Sequence, residues 1–107
     1  MKRVAFLIKV RQDKIDEYKR HHQAVWPEML NALHRNGWHN YSLFMRADGL
    51  IFGYLETPEN LEAARAAMRK EEVYAKWQAF MAPLVEPLAE PYPGVRTAEL
   101  EEVFHLD

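Results

Sequence analysis

Residues 3–10 carry apolar side chains on both alternating sets, with Val4, Phe6, Ile8 and Val10 on one side and Ala5 and Leu7, followed by Lys9, on the other. Side chains alternate at period two along a strand, so such a stretch makes a sheet that needs apolar cover above and below. Residues 38–45 repeat the pattern with aromatic and apolar residues on both sets. Ala47-Asp48-Gly49 then makes a tight turn into residues 50–56, the strongest hairpin signal in the chain. A last strand is predicted over residues 100–106, with Leu100, Phe104 and Leu106 on one side and Val103 on the other.

Between the strands the apolar period changes to that of a helix. Ile15, Tyr18, His22 and Val25 recur at helical spacing behind Asp13, a plausible N-cap, and the run meets a break at Trp26-Pro27. Residues 28–35 read as a second helical piece, with Met29, Leu30 and Leu33 inward and Asn36-Gly37 as the stop. Thr57-Pro58 can cap a further helical region over residues 59–82. Its two apolar patterns, Leu61/Ala64/Met68 and Val73/Trp77/Phe80/Met81, are offset near Lys70-Glu71. Pro83, Pro87, Pro91, Pro93 and Gly94 mark an irregular connection.

The predicted order is β-α-β-β-α-β, an α+β ferredoxin-like arrangement in one domain over residues 1–107. Helical cover reaches one face of a four-stranded sheet. The other face, apolar as well, calls for a second copy, so a homodimer packed face to face is expected.

Several chemistries lack the residues they need. There is no Cys, and Ser42 is the only serine, which leaves almost no candidate nucleophile. Five histidines, at 21, 22, 34, 39 and 105, include no pair three or four apart to clamp a metal from one helix face. Glycines at 37, 49, 53 and 94 build neither a phosphate loop nor a dinucleotide fingerprint, so no cofactor is expected. A net charge of −2 with interleaved signs gives no basic stripe for nucleic acid. No apolar run is long enough to span a bilayer, and with no targeting segment the cytoplasm is the expected compartment.

What remains is a set of aromatics and one well-placed imidazole. Tyr18 and His22 are four apart and share a helix face, directing a phenol and an imidazole at one small volume. An ordinary His titrates near ~6.5, which suits it to giving and taking protons. His22 is therefore the candidate proton-handling group, with an ordinary surface histidine as the plain alternative; His21 projects elsewhere and reads as solvated. Tyr18 and Tyr41 either hydrogen-bond a ligand or pack on the sheet. Trp26 and Trp77 either stack on a ligand or belong to the core, and Trp38 reads as packing or a dimer contact. Glu28, Glu99, Glu101 and Glu102 read as caps or solvated faces, while His39 and Asn40 are placed at the mouth of the pocket.

The segments Glu17-Tyr18…Arg20-His21-His22…Trp26-Pro27-Glu28, Gly37…His39-Asn40-Tyr41, Trp77…Met81 and Glu99-Leu100…Glu102-Val103-Phe104 together resemble the L-rhamnose mutarotase family over essentially the whole chain. The resemblance implies a dimeric α/β barrel that interconverts the α and β anomers of L-rhamnose without a cofactor, in rhamnose metabolism. It places the family's proton donor on His22 and its substrate-binding tyrosines on Tyr18 and Tyr41. Of the family's indole pair only Trp77 is kept; its neighbour is Lys76, positioned either to hydrogen-bond a sugar hydroxyl or to point to solvent. Two other expectations compete: a small monooxygenase of the same dimeric barrel, and a sugar-binding dimer without catalysis.

Overall fold

The stretch with two apolar faces becomes the central strand of the sheet. The computed structural model describes residues 1–107. Strand β1 (Lys2–Val10) leads through a 3₁₀ turn at Gln12–Lys14 into helices α1 (Ile15–His22) and α2 (Pro27–Arg35). The hairpin β2 (His39–Met45) and β3 (Leu50–Thr57) follows, then helices α3 (Leu61–Arg69) and α4 (Glu72–Met81). A 3₁₀ turn at Ala82–Leu84, the two-residue β4 (Val85–Glu86) and β5 (Thr97–Leu100) close the chain. Every ladder is antiparallel. The order is β2-β3-β1, with β4 and β5 sharing the far edge of β1, which is the ferredoxin-like connection expected from the sequence.

Both helical regions break where their patterns slip. Pro27 takes the first position of α2, where its missing amide costs nothing. The second region divides between Arg69 and Glu72. Gly37 ends α2 at φ +85°, with Trp38 N–H donating to the Leu33 carbonyl (3.0 Å) and Gly37 N–H to that of His34 (3.3 Å), a Schellman closure.

Val4, Phe6, Val10, Ile51 and Leu55 from the sheet bury against Tyr18, Met29, Ala32, Leu61, Ala64, Met68 and Trp77 from the helices. On the opposite face, Phe44, Phe52 and Leu7 stand in register across three strands, and Phe44 and Phe52 remain 62% and 40% exposed. One chain thus leaves uncovered the apolar face that the pattern of β1 foretold.

Several local expectations are corrected. Asp13 caps nothing: it lies in the 3₁₀ turn and accepts from Arg11 Nε at 3.3 Å. Helix α1 stops at His22, so Val25 and Trp26 lie in the connection beyond it. Leu30 faces solvent and Ala32 takes the buried place, because α2 starts at Pro27 and turns its inner face through Met29 and Ala32. Asn60, not Thr57-Pro58, caps α3, its side-chain oxygen accepting from Ala63 N–H at 2.8 Å. The last strand starts three residues and ends six residues earlier than predicted. Thr97–Leu100 pairs with β1, whereas Val103, Phe104 and Leu106 lie beyond the sheet edge and are exposed.

Candidate active site

The site is built where the last turn of α1 meets α4 and the inner face of the sheet. His22 stacks on Tyr18 with ring centroids 4.1 Å apart and meets Trp77 edge-on at 5.4 Å. Its Nδ1 lies 2.9 Å from the Tyr18 carbonyl oxygen. A carbonyl only accepts, so Nδ1 carries the proton, and in the neutral ring Nε2 keeps a free lone pair. Burial pushes the His22 pKa below its ordinary 6.5, helped by the charge of His21 and opposed by the hydrogen bond to Tyr18. The resting group is thus a neutral imidazole, half-buried, with one nitrogen tethered and the other available.

Tyr18 is only 5% exposed, and burial raises its pKa to about 12. Its hydroxyl makes no hydrogen bond within the chain, yet no buried polar side-chain atom is left without a partner. The ring is therefore core while the oxygen at its tip reaches accessible space. Tyr41 is also held un-ionised, above all by burial, then by the neighbouring Tyr18 and Tyr74 phenols, with Arg65 opposing.

Tyr41 owes its inward position to a β-bulge. The pairing of β2 on β3 slips by one residue between His39 and Ser42, and Asn40 takes φ +47° there. In a regular strand Trp38 and Tyr41, three apart, would face opposite ways. The extra residue brings both to the helix side, where their rings meet at 4.9 Å. Trp38 is buried, with Nε1–H donating to the Ala64 carbonyl at 3.1 Å.

Trp77 is 7% exposed and enclosed by His22 and Trp26, the latter edge-on at 4.9 Å. In this chain it serves as the wall behind the imidazole. Lys76 points outward, 3.6 Å from Glu72 one turn back, both highly exposed. Glu102 pairs with Arg3 at 2.8 Å, away from His22, and His39 packs on His34 at 5.4 Å.

Three neighbours are not singled out for the site by the sequence, where Phe80 reads only as part of a helix's apolar pattern. Phe80 stacks on Trp26 (5.4 Å) and touches His21 (4.4 Å). Tyr74 accepts from Gln78 at 3.0 Å. Arg65 lies on the inward side of α3, its Nη2 donating to Thr97 Oγ1 (3.0 Å) and its Cζ 5.2 Å from the centre of the Phe6 ring. Arg65 had a signal: it follows Leu61 by four and precedes Met68 by three, so a cation falls on an apolar stripe. Two surface depressions, one lined by Glu28, Asn31, Arg35 and Glu71, the other by Lys2, Arg3, Glu99 and Glu102, lie away from His22.

The fold defines the class first. Solved structures at 16% identity share it, among them a candidate antibiotic biosynthesis monooxygenase from Nitrosomonas europaea (TM-score 0.59, covering 92% of this chain and 84% of that one). A protein from Mycobacterium tuberculosis is similar at TM-score 0.61 over 98% and 97%. The chain is thus an α+β domain that shares its fold with these proteins, a fold that does not fix chemistry by itself. The family model for L-rhamnose mutarotase matches residues 3–106, and the chain belongs to that family. Curated L-rhamnose mutarotases from Bacillus subtilis and Oceanobacillus iheyensis are 41% and 37% identical, with both chains covered completely. The crystal structure of an L-rhamnose mutarotase from Formosa agariphila is similar at TM-score 0.79 and 28% identity, again over the full length of both. No helix is long and apolar enough to cross a membrane.

Proposed function

We propose that this chain interconverts the α and β anomers of L-rhamnose in the cytoplasm, as a homodimer and without a cofactor, with His22 moving the proton. The observation that carries the proposal is the tethered imidazole: Nδ1–H held on the Tyr18 carbonyl, Nε2 free, and a phenol stacked alongside.

Changing an anomer means opening a hemiacetal. The anomeric hydroxyl loses a proton, the bond from the anomeric carbon to the ring oxygen breaks, and that oxygen gains a proton. Both oxygens are bonded to the same carbon, so one nitrogen can serve both. Neutral Nε2 accepts the anomeric proton as base and, now imidazolium, returns it as acid to the departing ring oxygen. Turning about the adjacent carbon–carbon bond presents the other carbonyl face, and the reverse steps close the ring. The proton count balances and the enzyme returns to its starting state. The unpaired Tyr18 and Tyr41 hydroxyls supply hydrogen bonds to the sugar, and Trp77 backs the imidazole against an apolar wall.

Dimerisation follows from the uncovered sheet. A face carrying Phe44, Phe52 and Leu7 loses contact with water when a second copy packs on it. The exposed Val103, Phe104 and Leu106 of the tail add apolar surface for the same partner.

The test is saturation transfer between the two anomeric proton signals of L-rhamnose by NMR, beside light scattering of the protein. Exchange accelerated beyond an equal concentration of imidazole, with the mass of two chains, is the expected result. Sugar binding without faster exchange would make the chain a binding protein, and oxygen consumption with a quinol substrate in place of exchange would make it a monooxygenase.

A further inference from the structure

Arg65 is an anomaly in this fold. The other half-buried arginine, Arg3, has a carboxylate partner, Glu102 at 2.8 Å, and Arg20, Arg69 and Arg96 stand in solvent. Arg65 is half-buried, has no carboxylate within ion-pair distance, and is held by one hydrogen bond to Thr97 Oγ1 and by the face of the Phe6 ring. Desolvation works against its charge. A guanidinium has five N–H donors in a planar fork, and here one is used within the chain. A partly desolvated cation with free donors beside a site of un-ionised phenols is arranged to receive acceptors from elsewhere.

Its neighbours locate those acceptors. Phe6 carries the guanidinium on one face and has the Tyr41 ring 6.4 Å away, and Tyr41 in turn lies within electrostatic range of both Arg65 and the Tyr18 phenol. The order across the site is therefore His22, Tyr18, Tyr41, Phe6 and Arg65. With the anomeric carbon and ring oxygen at His22, the part of a pyranose reaching towards Arg65 is the opposite edge, where two neighbouring ring carbons each carry a hydroxyl. Two adjacent hydroxyl oxygens match the spacing of a guanidinium fork.

We propose that Arg65 is a specificity residue that donates to the vicinal hydroxyls at C3 and C4 of the sugar; this rests on the anomerase reading above. Binding at that edge fixes the ring without touching the reacting atoms, so the effect falls on KM far more than on kcat. Phe6 and Thr97 hold the guanidinium in place, and Asn60 caps the start of α3, the helix that delivers it.

The experiment compares the unmodified protein with Arg65→Met, which keeps an apolar stem over Phe6, and Arg65→Lys, which keeps the charge but not the fork. Each is assayed by NMR anomer exchange with L-rhamnose and with its 3-deoxy analogue, and each sugar is also titrated against tryptophan fluorescence to give a Kd independent of turnover. Arg65→Met should raise KM and Kd for L-rhamnose about tenfold or more, with kcat within about threefold, and Arg65→Lys should recover only part of the loss. The 3-deoxy sugar should bind the unmodified protein more weakly and lose less on Arg65→Met than L-rhamnose does, because one of the two acceptors is already gone. Equal losses for both sugars, a fall in kcat alone, or unchanged Kd would overturn the assignment. If the unmodified protein binds L-rhamnose without exchanging its anomers, the catalytic reading fails while the Kd comparison still decides Arg65.

Discussion

Replacing His22 by Gln separates what this residue does for the fold from what it does for the reaction. The ring contributes one aromatic stack on Tyr18 at 4.1 Å, an edge contact to Trp77 at 5.4 Å and a hydrogen bond to a helix carbonyl. Pairs of this kind are worth about 0.5–1.5 kcal/mol each, and His22 is only half-buried, so the variant should stay folded with a modest fall in Tm. A positioned acid–base group contributes roughly 10²–10⁴-fold, or about 3–5 kcal/mol of barrier. Anomer exchange should therefore collapse towards the uncatalysed rate while the thermal transition moves little.

The pH profile adds a sign. If neutral Nε2 starts the reaction, kcat/KM rises with pH through a pKa below 6.5 and is level above it. The same depressed pKa makes the unfolded chain the better proton binder, so this contribution to stability is full above 6.5 and is lost on acidification through the folded pKa. Exchange in His22→Gln as fast as in the unmodified protein, or activity that falls steadily between pH 6 and 8, would refute the proton-shuttle account.

Other outcomes follow from the same structure. Phe44→Glu places a charge on the uncovered sheet face, beside Phe52, so it should shift light-scattering mass towards one chain and lower activity, with little loss of secondary structure by circular dichroism. Gly53→Ala forces a Cβ against the Phe6 ring, 2.6 and 2.7 Å from two of its carbons, and should cost about 1–3 kcal/mol in urea unfolding. Glu71 is held at a pKa of about 2 by hydrogen bonds first from Arg35 and then from Asn36, against an ordinary 4.5. Its contribution is therefore present above 4.5 and lost as pH falls towards 2, and Glu71→Gln should flatten the acid limb of stability in that window. Lys76→Ala removes only a solvent-exposed pair with Glu72 and should leave both Tm and exchange nearly unchanged.

The order of elements was readable because two periods alternate cleanly and because Pro27, Gly37 and Gly49 punctuate them with chemistry that has one local meaning. The pairing of Tyr18 with His22 was readable for the same reason, since four residues on a helix is a distance. The inward placement of Tyr41 beside Trp38 was not. Alternation assigns them to opposite faces, and only the inserted residue at Asn40 reconciles them, a feature of strand pairing that no single segment encodes. Arg65 had a local signal, but its meaning needed Phe6 and Thr97, residues 59 and 32 positions away in the chain. The end of the last strand was misplaced because Val103, Phe104 and Leu106 are as apolar as a strand requires. Pairing nevertheless stops at Leu100 opposite Ala5, although β1 runs back to Lys2 and continues to pair with β3 there.

The absence of an aromatic at position 76 has a structural answer in the residue one turn further on. With Lys76 turned to solvent, the indole of Trp77 would be a lone surface behind His22 if nothing else stood beside it. Instead Trp26 stands edge-on to Trp77 at 4.9 Å, and Phe80 stacks on Trp26 at 5.4 Å and closes towards His21 at 4.4 Å. Three rings from two sequence regions thus make one wall, and its position depends on Pro27, which ends the connection from α1 and seats Trp26 just before α2. The desolvation that depresses the His22 pKa comes from surroundings of this kind, with Trp77 the ring that meets the imidazole directly. The Trp26-Pro27 break is accordingly more than a helix boundary: it seats Trp26 against Trp77, the ring that meets the His22 imidazole directly.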